Sequence, residues 1–351
     1  MKRCGAGPRW AAVVAMGWAV MVAPAGVAAE TSRDQPATFG EWVTIGDWDV
    51  RVVRTDFDAT PEVMAENQFN DPPAQGNQFV LAEFDAVYHG EGMASPLWEL
   101  SFQSVGDSSI AYGETDPGCG VIPRDSINAP SVFNGGAVSA AACWSVATED
   151  VPSLVMFVEA GFGDDRQFLQ LAPDSADRVN DAVALVEAIP LPEPPTYSGA
   201  DLEMGGRGNP IPVGTSATVG NWSIKVTEAV PNATDMIMAE NMFNDPPADG
   251  RQFYLVSIEA QYLGGGEDTA NFWIDSSFHM LGDRAVAYGS SDASCGVIPG
   301  SLLDMPEVFE GGVVTGNVCF SVPSDEVESF LLMADEGFSL DGQSVFYALK
   351  P

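Results

Sequence analysis

Apolar residues recur at every second position through most of the chain. Trp48, Val50 and Val52 alternate with Asp49 and Arg51, and Trp222, Ile224 and Val226 alternate with Ser223 and Lys225. A period of two is the signature of a strand with one buried face. Val80, Ala82, Phe84, Ala86 and Tyr88 carry the same alternation, and Tyr254, Val256, Ile258, Ala260 and Tyr262 repeat it. Further strands are predicted at 98–104, 110–112, 138–146, 154–158 and 168–171, each with a counterpart later in the chain. Gly90, Gly92, Gly106-Asp107 and Gly135-Gly136 punctuate them as turns. Short strands with almost no helical periodicity predict an all-β chain of antiparallel β-sandwich architecture.

One stretch departs from the period of two. Over 175–189, Val179, Val183, Val186 and Ile189 fall on one helical face, with Asp174 or Ser175 as a candidate cap. Pro190, Pro192, Pro194 and Pro195 would end this helix and stiffen the chain beyond it, and Gly205-Gly206-Arg207-Gly208 reads as a looser hinge. A short helix and a Pro/Gly-rich linker are therefore expected to hold two sandwiches apart.

The counterparts come from a repeat. Residues 65–79 and 239–253 agree at 12 of 15 positions, both containing Asn-x-Phe-Asn-Asp-Pro-Pro-Ala. The correspondence extends from Gly46 and Trp48, matched by Gly220 and Trp222, to Cys119-Gly120-Val121-Ile122-Pro123, matched by Cys295-Gly296-Val297-Ile298-Pro299. A period near 175 residues is far too long for a solenoid and reads as two globular domains. The expected organisation is an export signal at 1–29, domain one at 37–172, the helix and linker at 173–212, and domain two at 213–351.

In the doubled motif, adjacent prolines remove two donors and fix φ, so Asp71-Pro72-Pro73 and Asp245-Pro246-Pro247 belong in loops rather than in helices or central strands. Phe69 and Phe243 are expected to pack down as anchors, and Asn70 and Asn244 to bond to the loop backbone. Asn67, Phe69, Asn70 and Asp71, with Asn241, Phe243, Asn244 and Asp245, are the candidate contact residues if the loops display themselves to a partner.

Gly-x-Trp ahead of a strand, then Asn-x-Phe-Asn-x-Pro-Pro-Ala-x-Gly-x-Gln-Phe leading into an alternating strand, resembles the bacterial exported telokinin-like family. The resemblance covers about 39–172 and 213–350 and is most specific at 67–79 and 241–253. It implies an immunoglobulin-like fold in each of two tandem domains, residence outside the cytoplasm, and no assigned catalytic residues.

Export is also legible in the residues themselves. Lys2, Arg3 and Arg9 precede an apolar run at 10–23, which is short for a membrane span, and Val27-Ala28-Ala29 supplies a small-residue cleavage site. No stable membrane anchor is expected once the leader is removed. Cys119, Cys143, Cys295 and Cys319 then remain, paired at equal spacing, and predict one disulfide per domain. Along 138–146 the inward set is Val138, Ala140, Ala142, Trp144 and Val146, so Cys143 points to the other face. The bridge is expected to tie a loop to the outside of a sheet.

Charge narrows the partners. The chain has 14 Lys plus Arg against 50 Asp plus Glu, a formal net charge of −36. Such a surface repels nucleic acid and anionic headgroups. Calcium is a candidate cation, since hard ions take several oxygens from loops. The acids at matched positions are Glu66 and Glu240, Asp71 and Asp245, Asp107 and Asp283, and Asp116 and Asp292. No EF-hand spacing is present. His89 and His279 have no histidine counterparts, and the chain carries no nucleophile elbow, zincin or P-loop motif. The expected function is a secreted, non-enzymatic binding or adhesion module for an extracellular protein or cell-surface component. A calcium-binding module and a carboxylate-based hydrolase are the alternatives.

Overall fold

The structure is a computed structural model that describes residues 31–350 except 115–117, 162–164, 175, 177, 179–181, 186–188, 190–194, 266 and 338–343. The leader at 1–29, Asp116, Val179, Val186 and most of the proline run lie outside the described residues.

Among the described residues, ten strands come from the N-terminal half: β1 (Val43–Ile45), β2 (Trp48–Asp56), β3 (Asn77–Tyr88), β4 (Leu100–Val105), β5 (Ala111–Gly113), β6 (Ser131–Val132), β7 (Ala137–Ala147), β8 (Val155–Ala160), β9 (Arg166–Gln170) and β10 (Val183–Ala184). The C-terminal half adds β11 (Ser216–Val219), β12 (Trp222–Val230), β13 (Arg251–Tyr262), β14 (Ser276–Leu281), β15 (Val286–Gly289), β16 (Val313–Pro323), β17 (Leu331–Glu336) and β18 (Val345–Ala348). Among the described residues four short α-helices sit between them: α1 (Thr60–Glu66), α2 (Pro96–Glu99), α3 (Thr234–Glu240) and α4 (Phe272–Asp275).

The architecture is all-β sandwich. In the N-terminal half, sheet β1-β2-β3-β7 faces sheet β5-β4-β8-β9, and every named strand pair is antiparallel. The alternating residues do what their period implies: Val50, Val52, Phe84 and Trp144 from one sheet meet Phe102, Met156, Val158 and Leu169 from the other. The Phe84 and Phe102 rings stack with centroids 4.0 Å apart, and Trp144 Nε1 donates to the Phe102 carbonyl at 3.3 Å. Burying each such side chain contributes about 1.5–3 kcal/mol. The C-terminal half repeats the arrangement with β11-β12-β13-β16 on one side and β18-β17-β14-β15 on the other. The Gly-x-Trp signature is explained by packing. Trp48 lies 5.0 Å from Tyr88 and donates to Glu99 at 3.0 Å, while Trp222 lies 5.1 Å from Tyr262 and donates to Asp275 at 3.1 Å.

Three expectations need correction. The helix predicted over 175–189 is not formed at Val183 and Ala184, which pair antiparallel with Thr55 and Arg54 of β2. β1 covers only Trp48–Val50, three residues of the nine in β2, so the far end of that edge has donors and acceptors to satisfy. The segment satisfies them as a strand. The strand predicted at 98–104 starts two residues late: Trp98 and Glu99 belong to α2, whose N-terminal Pro96 fixes a helical φ.

The linker does not hold the halves apart. β6 leaves the N-terminal half and becomes the edge strand of the second sandwich, with Val132 opposite Val286 and Ser131 opposite Ala287. Its continuation, Phe133, donates its N–H to the Ala285 carbonyl at 2.8 Å. Both halves belong to one compact unit.

Candidate binding surface at the cystine-tied loops

The doubled motif begins at the end of α1. A helix leaves its last carbonyls without intrahelical partners, Val63 among them. At Asn67 the backbone turns extended, with φ −143° and ψ 126°, and the Asn67 side chain accepts the Phe69 N–H at 2.9 Å. This Asx turn directs residue 69 outward and residue 70 inward. Asn70 Nδ2 then donates to the Val63 carbonyl at 2.7 Å and to the Val121 carbonyl at 2.7 Å, and its Oδ1 accepts the Val121 N–H at 2.8 Å.

The C-terminal half makes the same clamp. Asn241 accepts from the Phe243 N–H at 3.0 Å, and Asn244 bonds the Ile237 carbonyl at 2.7 Å and both Val297 backbone groups at 2.8 Å. Asn70 and Asn244 are each 8% exposed. Glycine is required where the clamp closes. Gly120 and Gly296 hold φ of 80° and 73°, and a Cβ on either would stand 2.3 or 2.2 Å from the clamping Oδ1.

Disulfides pin the clamped segments from the other side. Cys119 joins Cys143 and Cys295 joins Cys319, with Cα separations of 6.1 and 6.3 Å. Cys143 faces away from the main core into a small cluster of Val63, Phe79, Leu81 and Ile122. Each bridge therefore ties its loop to the outer face of a sheet.

Phe69 and Phe243 are not anchors. They are 82% and 83% exposed, because the Asx turn points them out and the anchoring is done by Val63, Ile237 and the two asparagines. Val121 and Val297, held by the clamps, are exposed as well, as are Ile127 and Leu303 behind Asp125 and Ser301 caps. Beside the Cys295–Cys319 bridge a cleft of about 320 Å³ is lined by Trp273, Ser290, Ser291, Gly296 and Leu303. Asp71 and Asp245, also named as contact candidates, lie exposed ahead of the prolines.

Among the described residues the calcium candidates do not converge, and Asp116 lies outside them. Glu66, Asp71, Glu240 and Asp245 are exposed along their loops. The Asp107 and Asp283 N–H groups donate to Ser153 at 2.8 Å and Ser329 at 3.2 Å, which marks both as turn residues. Asp292 accepts the Gly289 N–H at 2.6 Å, and burial pushes its pKa up. Among the described residues no three His, Cys, Asp or Glu side chains are grouped to hold a metal ion.

Asp150 and Glu326, which sequence reading did not single out, have structural duties. Asp150 accepts from Tyr112 at 2.7 Å and from the Ser108 N–H at 2.9 Å, and Glu326 accepts from the Arg284 N–H at 2.8 Å. His89 sits 2.9 Å from Asp49 at the surface. His279 is pushed down by burial, against Asp335 and Asp292, and its Nδ1 has no hydrogen-bond partner among the described residues. Glu114 is raised to about 7 by burial and by Asp125, against a bond from Ser126. Glu114 and His279 have no like residue at the corresponding position of the other half, so the repeat offered no signal for either.

No family model matches the chain, and no curated sequence does. Solved structures similar to it include a conserved hypothetical protein from Bacillus anthracis, at 12% identity over 38% of this chain and 94% of that chain, with a TM-score of 0.24. Another is an uncharacterized beta-sandwich protein from Clostridium difficile 630, at 12% identity over 40% of this chain and 96% of that chain, with a TM-score of 0.27.

Proposed function

We propose that the chain is an exported, non-enzymatic binding module built from two copies of one sandwich, and that it presents paired apolar tips to an extracellular protein or cell-surface component. One observation carries this reading: Phe69 and Phe243 stand almost fully exposed at matching positions, each on a loop fixed by three side-chain hydrogen bonds and a nearby disulfide. A large aromatic side chain with no packing duty costs solubility, and rigid aromatic anchors dominate binding energy where they insert into a partner. Fixing the loop beforehand removes the ordering cost from association.

Two disulfides fit an oxidising compartment, and no helix among the described residues is long and apolar enough to cross a membrane. The net charge of −36 favours a neutral or basic partner and disfavours nucleic acid. The acids and hydroxyls that could suggest chemistry, such as Asp150 with Tyr112 and Ser108, hold turns together.

The test is retention on isolated cell-envelope material, with wild type compared to a Phe69→Ser, Phe243→Ser double variant. The double variant is expected to lose retention while melting at the wild-type temperature. Equal retention of the two proteins would refute the role of the tips.

A further inference from the structure

The contact that joins the two halves uses one of two equivalent knobs and one of two equivalent sockets. The knob is Phe133, which packs against Leu281, Ala287, Met333 and Phe346 on the outer face of the second sandwich. Arg207 closes the socket, its guanidinium 5.8 Å from the Phe133 ring centroid and 3.0 Å from the Gly282 carbonyl to which it donates. Ala285, whose carbonyl receives the Phe133 N–H, has a left-handed φ of 57°.

Every part of this contact recurs in the chain, with Arg166 in place of an aromatic knob over the apolar cluster. Phe309 holds the place of Phe133, between Val308 and Gly311-Gly312, and is 58% exposed. On the N-terminal half, Val105, Val155, Phe157 and Phe168 form the matching apolar cluster. Arg33 stands where Arg207 stands, donating to the Gly106 carbonyl and to Ser109 Oγ. Ser109 keeps a φ of 62°, a conformation uncommon outside glycine, at the position of Ala285. Ile110 and Ala111 are exposed, whereas Val286 and Ala287, their counterparts under β6, are buried. β5 is an edge strand, as β15 would be without β6.

We infer that the chain associates head to tail with a second copy of itself, residues 307–309 of one molecule adding to β5 of the next and seating Phe309 in the socket under Arg33. The register follows the internal contact: Val308 opposite Ile110 and Glu307 opposite Ala111, as Val132 lies opposite Val286 and Ser131 opposite Ala287. The internal contact identifies the occupant, because the knob and the strand edge that it pairs recur at exposed Phe309 and at β5, beside a cluster covered by Arg166. One rearrangement is needed. Arg166 lies 4.6 Å over the Phe157 ring and has to move aside; its pair with Glu159 is partly exposed, so water can take over when it does. A heterologous contact of this kind closes into a ring or continues as a filament. The inference rests on the junction and is independent of the apolar tips.

Sedimentation velocity of the purified chain over a wide concentration range tests it. The weight-average sedimentation coefficient is expected to rise with concentration, and to rise more steeply in higher salt, where repulsion between chains of charge −36 is screened. Phe309→Asp removes the knob and Ala111→Glu blocks the socket opposite Glu307. Both positions are exposed, so both variants should melt as wild type does. Each alone should remain monomeric, and an equimolar mixture should form a one-to-one dimer that grows no further. A wild-type chain that stays monomeric overturns the inference, as does Phe309→Asp that associates unchanged. A mixture that fails to pair overturns the head-to-tail geometry.

Discussion

Asn70 grips Val121 by both ends of its backbone: Nδ2 donates to the Val121 carbonyl at 2.7 Å while Oδ1 accepts the Val121 N–H at 2.8 Å. One amide side chain thus substitutes for a pair of strand hydrogen bonds and closes α1 onto the cystine loop. Asn70→Ala would strand two carbonyls and one N–H, each at about 1–3 kcal/mol where water cannot reach. A loss on the order of 3 kcal/mol in urea unfolding is expected. Asn244→Ala should show the same loss, and the two should add, since the clamps share no partner.

Each disulfide closes 24 residues of sequence separation. Loop-closure entropy assigns about 3.5 kcal/mol to such a bridge. Cys143→Ser together with Cys119→Ser should therefore lower the unfolding free energy by about that amount. An unchanged denaturation midpoint would show that the clamp and the small cluster alone fix the loop.

One ion pair stands at corresponding positions of both halves but in different surroundings. Arg51 and Asp85 lie 3.0 Å apart at 2% and 5% side-chain exposure, with Ser139 also donating to Asp85 at 2.7 Å. Lys225 and Glu259 form a surface pair. Asp85→Ala removes the buried carboxylate that Arg51 and Ser139 both meet, and a larger loss than at the surface pair is expected. Glu259→Ala should change stability by less than about 1 kcal/mol. Calorimetry of the two variants side by side checks the contrast.

Glu114 gives a pH signature. Its carboxyl titrates near 7 in the fold and at 4.5 when free, so between these values the folded chain holds a proton that the unfolded chain has released. Stability contributed by this group is full below about 4.5 and is lost as pH rises through about 7. Glu114→Gln should flatten that part of the profile and be more stable than wild type at pH 8. Urea midpoints of both proteins at pH 5 and pH 8 measure it, and parallel profiles would contradict the assignment.

Chelator and excess calcium should both leave the melting temperature unchanged. A cation that binds the fold must stabilise it by mass action, and the matched acids do not converge among the described residues. A calcium-dependent rise in melting temperature would restore the cation reading.

The strands were legible because alternation is a property of neighbouring residues. Trp48, Val50 and Val52 had to share a face whatever packed against them. The cysteine spacing and phase pointed to bridges on the outside of a sheet, and the asparagine just ahead of Asp-Pro-Pro pointed to a side chain bonded to loop backbone. The direction of Phe69 was not legible, since apolar character alone suggests burial, while its outward course comes from the hydrogen bond that Asn67 makes to its N–H. Ser175 to Ile189 misleads for a related reason. Four apolar residues at helical spacing satisfy a helix, but the open end of β2, remote in sequence, offers Val183 and Ala184 a strand partner.

By itself, then, the sequence determined the two-faced strands, the doubled motif, the cystine pairs and the acidic surface, all consequences of residue type and local spacing. Only the tertiary structure decided which backbone edges met. That choice put Val132 against Val286, packed Phe133 against Leu281 and Met333 while leaving Phe309 in solvent, and turned two candidate domains into one joined unit. Edge pairing is made of backbone groups that every residue carries, and so it leaves no mark in the order of side chains.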